Sequence, residues 1–112
     1  MNVSHKIPAG TVIPSGRRWK LAEDLYVDFR TTEKGDVIAS TRQINEYGWG
    51  TTREKALHDL LLSLVDFKDS LERRVKYGRV ILSDELNLDL IYLKRLFVFR
   101  DWSAVSKELD VS

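Results

Sequence analysis

The sequence predicts an α+β fold, in which a short antiparallel β-meander of two to three strands packs on a long amphipathic helix and is followed by a second helix and a short C-terminal helical segment. Three features carry that expectation. Apolar and polar residues alternate from Leu25 to Arg30, the period of a half-buried strand. Apolar residues recur three and four apart from Leu57 to Val75, the period of one helix face. A second run with the helical period covers Leu86 to Phe97. At 112 residues the chain supports one core rather than two. The expected division is an irregular N-terminal arm over residues 1–24 and a single α+β domain over 25–112, with strands over 25–50, the long helix over 52–77 and the second helix over 83–99.

The segment Met1 to Gly16 holds both prolines, Pro8 and Pro14, with Gly10 and Gly16 and no sustained apolar period. Proline withholds a backbone donor and breaks ladders, so this stretch is expected to be an arm. From Leu25 the alternation puts Leu25, Val27 and Phe29 on one side and Tyr26, Asp28 and Arg30 on the other. Thr31-Thr32-Glu33-Lys34-Gly35-Asp36 supplies a turn, and the β-branched run from Val37 to Ile44 supplies an antiparallel partner strand. Gly48-Trp49-Gly50 suits a tight bend or a short third strand whose backbone lies close to another element.

Thr51-Thr52-Arg53-Glu54 offers a helix N-cap, with Glu54 placed for a capping box. The stripe Leu57, Leu60, Leu61, Leu64, Phe67, Leu71 and Val75 follows, and Gly78 is a natural stop. A helix of about 25 residues is roughly 38 Å long, more than two or three short strands cover. The second helix, opened by Ser83 with Asp84 and Glu85 in its first turn, is expected to cover the rest. Its stripe is Leu86, Leu90, Leu93, Leu96 and Phe97, but Leu88, Ile91, Tyr92, Val98 and Phe99 lie off that stripe. A helix that is apolar on more than one side calls for more than one cover, either a fully buried position or a partner chain. Trp102, Val105 and Leu109 continue the period into a short terminal helical segment, which either is capped by Ser103 or frays.

The chemistry is spare. There is no cysteine, which removes thiolate nucleophiles, disulfides and sulfur-ligated zinc. The two histidines, His5 and His58, sit in the arm and on the polar side of a helix, and His58, Asp59 and Asp66 do not converge because adjacent helical residues point about 100° apart. The carboxylates Asp24, Asp28, Glu33 and Asp36 scatter, and Asp28 is expected either to pair across strands or simply to be solvated. No catalytic residue, metal site or cofactor is therefore expected. Eighteen basic residues against seventeen acidic ones, a net charge of +1, leave no global field toward nucleic acid or lipid. Two local basic groups, Arg17, Arg18 and Lys20, and Lys94, Arg95 and Arg100, lie beside aromatics and stand as possible nucleic-acid contacts. No stretch approaches the roughly 20 apolar residues of a spanning helix, and the start carries no hydrophobic leader. The expected location is the cytoplasm.

Several of these pieces fall in one order: Leu25-Tyr26-Val27-Asp28-Phe29, Glu33-Lys34-Gly35-Asp36, Val37-Ile38-Ala39-Ser40, Gly48-Trp49-Gly50 and Thr52-Arg53-Glu54-Lys55-Ala56-Leu57. That order resembles the HicB-like antitoxin family over roughly residues 25–75. The chain departs from the family in having Asn45-Glu46-Tyr47-Gly48 where a proline-glycine pair is usual, and Lys55 where a glutamate is usual. The resemblance implies a partly degenerate RNase H-like core without catalytic acids that binds and neutralises a small RNA-cleaving toxin. Together with the surplus apolar helix surface, this gives the expectation of a non-enzymatic, antitoxin-like interaction protein, homo-oligomeric and bound to a protein partner, using Leu86, Leu90, Leu93, Leu96, Phe97, Phe99 and Trp102. The alternative is a small nucleic-acid-binding or regulatory module acting as a homo-oligomer, and no membrane partner is expected.

Overall fold

The computed structural model describes residues 4–13, 19–78 and 81–99, along which the chain runs β1 (Ser4–Ile7), β2 (Trp19–Leu21), β3 (Leu25–Thr31), β4 (Val37–Thr41), β5 (Tyr47–Gly50), α1 (Arg53–Tyr77), α2 (Asp84–Leu96) and β6 (Phe97–Phe99). The class is α+β. Four strands form one antiparallel sheet in the order β1-β3-β4-β5, and β2 pairs with β6 in a second, two-stranded sheet. The meander expected from the alternation is β3-β4-β5, with Val27 opposite Thr41, Phe29 opposite Ala39 and Ala39 opposite Gly48. Its first turn is closed by Thr32, whose N–H donates to the Asp36 carbonyl at 2.7 Å and whose carbonyl accepts from Gly35 at 3.0 Å. Gly35 sits at φ 87°, where a side chain is strained.

Within residues 1–24 the described stretches, 4–13 and 19–24, are not an irregular arm, and for them this expectation is corrected. β1 adds to the edge of the sheet, Ser4 opposite Asp28 and Ile7 opposite Leu25. Four residues ending at Pro8 are too few to show an apolar period, and the proline stops the ladder where it would next need a donor. Gly10, at φ 92°, turns the chain back so that Ile13 donates to the Trp19 carbonyl at 2.9 Å and Leu21 to the Thr11 carbonyl at 2.9 Å. Ile13 and Leu21 thereby join the core.

The second helix also ends earlier than its spacing implies. α2 stops at Leu96 and the chain continues as β6, antiparallel to β2, with Leu21 opposite Phe97 and Trp19 opposite Phe99. Leu93, Leu96 and Phe97 fit a helical period while Phe97-Val98-Phe99 equally fits a strand of aromatic and β-branched residues, and the unpaired edge of β2 decides between them. The terminal helical segment expected around Ser103 to Leu109 lies outside the described residues.

α1 follows its prediction from cap to cap. Thr52 is the N-cap, its hydroxyl accepting from the Lys55 N–H at 3.1 Å, and Gly78 closes the helix by donating to the Arg74 carbonyl at 3.0 Å. Because the cap is Thr52 rather than Thr51, the third helical position is Lys55, which has no acceptor, so the reciprocal arm of a capping box is not made. Ala56, Leu60, Leu61, Leu64, Val65 and Leu71 are buried. The stripe's outer members differ, since Val75 is exposed and a lysine, Lys68, is buried instead. Its ammonium donates to Glu72 at 2.7 Å and lies 4.3 Å from the centre of the Trp19 ring, so the charge is paired and its stem packs.

The first third of α1 lies directly on β5. A Cβ built on Gly48 would run into the Ala56 carbonyl oxygen and the Leu60 nitrogen, and one on Gly50 would lie 2.6 Å from the Ala56 nitrogen. Glycine at both positions lets strand and helix backbones touch. The exposed side of β5 is held as well, since the Trp49 N–H donates to the Asp59 carboxylate of α1 at 2.9 Å, which occupies an edge donor otherwise open to strand pairing.

Candidate binding surfaces

α2 is built to be apolar on two sides. Ser83 caps it, its hydroxyl accepting from the Leu86 N–H at 3.2 Å, and the macrodipole is complemented by Asp84 and Glu85 at its start and Lys94 and Arg95 at its end. Leu90, Leu93 and Leu96, with Phe97 just beyond, face inward and belong to the same core cluster as α1 and the sheet. Burial of each such side chain stabilises the fold by about 1.5–3 kcal/mol.

The residues expected to bind a partner are therefore reassigned. Leu90, Leu93, Leu96 and Phe97 are consumed by the chain's own core, and Leu86 is half-buried against it. For Phe99 only the backbone is described, and Trp102 lies outside the described residues. The apolar side that stays open is the other one: Leu88 is 66% and Ile91 57% exposed, and Ile81, just ahead of the helix, is 95% exposed. Leu88 and Ile91 are three apart and so adjoin on the helix surface. Toward the start of the helix stand the exposed Asp84 and Glu85 and the half-buried Asp89, and one turn beyond Ile91 stand the exposed Lys94 and Arg95.

The start of α2 is a region of negative potential. Burial, then the charge of neighbouring Glu85, pushes the Asp89 carboxyl above its ordinary range. Burial, then the charge of Asp89, does the same to Glu46 on the β4–β5 loop. Both groups hold their protons more tightly folded than unfolded, so the fold gains stability as pH falls through the raised values and loses it as pH rises. Glu46→Gln removes this charge. It is expected to raise the midpoint of thermal unfolding at neutral pH, with the gain over wild type vanishing below about pH 3.5, where both states carry the proton.

The end of α2 is neutralised internally. Arg95 grips Glu23 with both arms, Nη2 to Oε1 and Nε to Oε2, each at 3.3 Å. Beside this pair Tyr92 is held up to about 12 by burial and by the Glu23 charge, against the opposing pull of Arg95. Of the basic residues expected to contact nucleic acid, Arg95 is thus committed to an ion pair. Lys94 is exposed on α2, Lys20 is half-buried on β2 opposite Val98, and Arg17, Arg18 and Arg100 lie outside the described residues. The described members of that set are not gathered by the fold.

A second surface was not singled out by the sequence reading. The registers place Ser4 and Lys6 of β1, Tyr26, Asp28 and Arg30 of β3, Ile38 and Ser40 of β4, and Tyr47 and Trp49 of β5 on the sheet face turned away from α1. Tyr26, Tyr47 and Trp49 are 45%, 60% and 56% exposed. The signal that finds them is the alternation of β3 carried across two hairpin registers. Asp28, the one acid of this face, accepts from the Ser4 hydroxyl at 2.7 Å and pairs with Arg42 at 3.4 Å. The Ser4 hydrogen bond, then Arg42, holds its carboxyl below the usual range in spite of some desolvation. Of the two roles expected of Asp28, this is the cross-strand pairing.

The remaining candidates are dispersed. His5 sits edge-on to the Phe29 ring at 5.2 Å, and His58 is exposed on α1. Among the described residues no three of histidine, cysteine, aspartate and glutamate come together as metal ligands, and no helix is long and apolar enough to cross a membrane. No protein family, curated protein or solved structure matches the chain.

Proposed function

We propose that this chain is an antitoxin-like interaction protein that works by binding, not by catalysis, and that its protein-binding surface is the outward side of α2 with Ile81. The observation that carries this reading is the double-sided helix. Leu90, Leu93 and Leu96 are sealed inside the chain while Leu88 and Ile91 stay in water, a pair of adjacent large aliphatics at the kind of patch that marks a contact site. The start of α2, with Asp84, Glu85 and Asp89, complements a basic segment of a partner such as a small RNA-cleaving toxin, while Lys94 and Arg95 offer opposite charge at its end. The segments that carry the resemblance to HicB-like antitoxins form β3, β4, β5 and the capped start of α1, which supports the same class.

The test is co-expression with each short reading frame found beside this gene. One of them, expressed alone, is expected to arrest growth and degrade RNA, and this chain is expected to relieve the arrest and co-purify with the product. If no adjoining frame is toxic, or if toxicity persists in the presence of the chain, the antitoxin reading fails.

A further inference from the structure

We infer that the outward face of the four-stranded sheet binds single-stranded nucleic acid, with Tyr47, Trp49 and Tyr26 as stacking surfaces and Arg30 and Lys6 as phosphate contacts. This site lies on elements other than α2 and stands independently of the antitoxin reading. Single-stranded bases are recognised chiefly by stacking on exposed aromatic rings beside cationic side chains, often on an open antiparallel sheet. This face has those parts and little else.

Tyr47 and Trp49 are two apart on β5, so both project from the same side, roughly 6.6 Å apart along the strand. Across the strands Ile38 of β4 lies between Arg30 and Trp49, and Ser40 between Asp28 and Tyr47, while Tyr26 stands opposite Lys6 at the other corner of the face, two residues beyond Asp28. Exposed aromatics at this density are unfavourable to leave in water without a use. The charge picks out the ligand. The face carries Lys6 and Arg30, with Arg42 just past the end of β4, against one carboxylate, Asp28, which is already satisfied by Ser4 and Arg42. Among the described residues Arg30 has no acidic partner, and it lies between two shallow hollows: one is lined by Asp28, Ile38, Ser40 and Tyr47, the other by Ile38, Tyr47 and Trp49. A cation set between two ring-walled hollows matches a phosphate between two stacked bases. It repels a basic protein, so this face and the acidic start of α2 favour ligands of opposite charge.

The test is fluorescence anisotropy of labelled 12-nucleotide single-stranded RNA and DNA, with a duplex of the same sequence as control. Binding of single strands is expected to exceed that of the duplex and to weaken steeply with added salt. Trp49→Ala and Tyr47→Ala are each expected to cost between about 5-fold and 150-fold in affinity, the range for loss of one stacked base, while Trp49→Phe retains most of the binding. Arg30→Gln is expected to flatten the salt dependence by close to one phosphate contact. Absence of binding at 100 μM chain, equal affinity for duplex, or single-strand binding indifferent to both Trp49→Ala and Tyr47→Ala would overturn the inference.

Discussion

Gly48→Ala is expected to be the most damaging single-methyl change in the chain. The added carbon falls on the Ala56 carbonyl oxygen and the Leu60 nitrogen, both backbone atoms of a helix held by its own hydrogen bonds, so no side chain can swing aside to make room. α1 must lift off β5, which opens the layer containing Ala56, Leu60 and Ala39, all fully buried. Overpacking a core by one carbon costs about 1–3 kcal/mol where neighbours adjust, and here they are main chain, so a loss of at least about 3 kcal/mol is expected. For a domain of this size that lowers the unfolding midpoint by roughly 10–20 °C. Gly35→Ala is the control. Its Cβ meets nothing within 4 Å, and its only difficulty is the φ of 87°, worth about 1–2 kcal/mol. Thermal unfolding followed by circular dichroism separates the two, and equal midpoints for both variants would show that helix and strand are not in the contact described.

The second large effect concerns binding. Leu88→Asp combined with Ile91→Asp puts two charges where a partner is expected to bury two aliphatic side chains. Each buried anchor of this kind is worth about 2 kcal/mol or more, so the pair is expected to weaken a partner complex by about 1,000-fold. Both positions are in water already, and the like charges that Leu88→Asp sets one turn from Asp84 and Glu85 cost the helix about 0.2–0.5 kcal/mol per pair, small beside the expected loss of binding. Leu93→Ala has the opposite profile: Leu93 is fully buried, and the substitution is expected to cost about 2–5 kcal/mol of stability. Affinity measured by titration calorimetry alongside thermal unfolding tells whether binding and folding use opposite sides of α2. Retained affinity in the double aspartate variant would place the partner elsewhere.

What the sequence made legible was what local chemistry dictates. Thr52 and Gly78 mark α1 because a hydroxyl cap and a glycine stop act within one turn, and Gly48 and Gly50 announced a close approach because no other residue permits one. β1, β2 and β6 stayed hidden for a common reason. Each has three or four residues and gains its stability from partners well separated in sequence, Ser4 from Asp28 and Trp19 from Phe99, so no window of the sequence contains the determining interaction. The same non-locality hid the sidedness of α2. Both sides of α2 are apolar in the sequence, and its packing against α1 and beside β6 takes Leu93 and Leu96 inward and leaves Leu88 and Ile91 outward. Lys68 was hidden because its burial rests on Trp19 and Glu72 together, a pairing that charge alone does not announce.

The central claim is that the open side of α2 is completed by another chain. Size-exclusion chromatography with light scattering, on protein co-expressed with its adjoining frames, tests it most directly. The prediction is a species heavier than the 13.0 kDa of one chain, which falls to that mass when Leu88 and Ile91 are both replaced by aspartate. A wild-type protein that elutes as a single 13.0 kDa chain, with nothing bound, would contradict it.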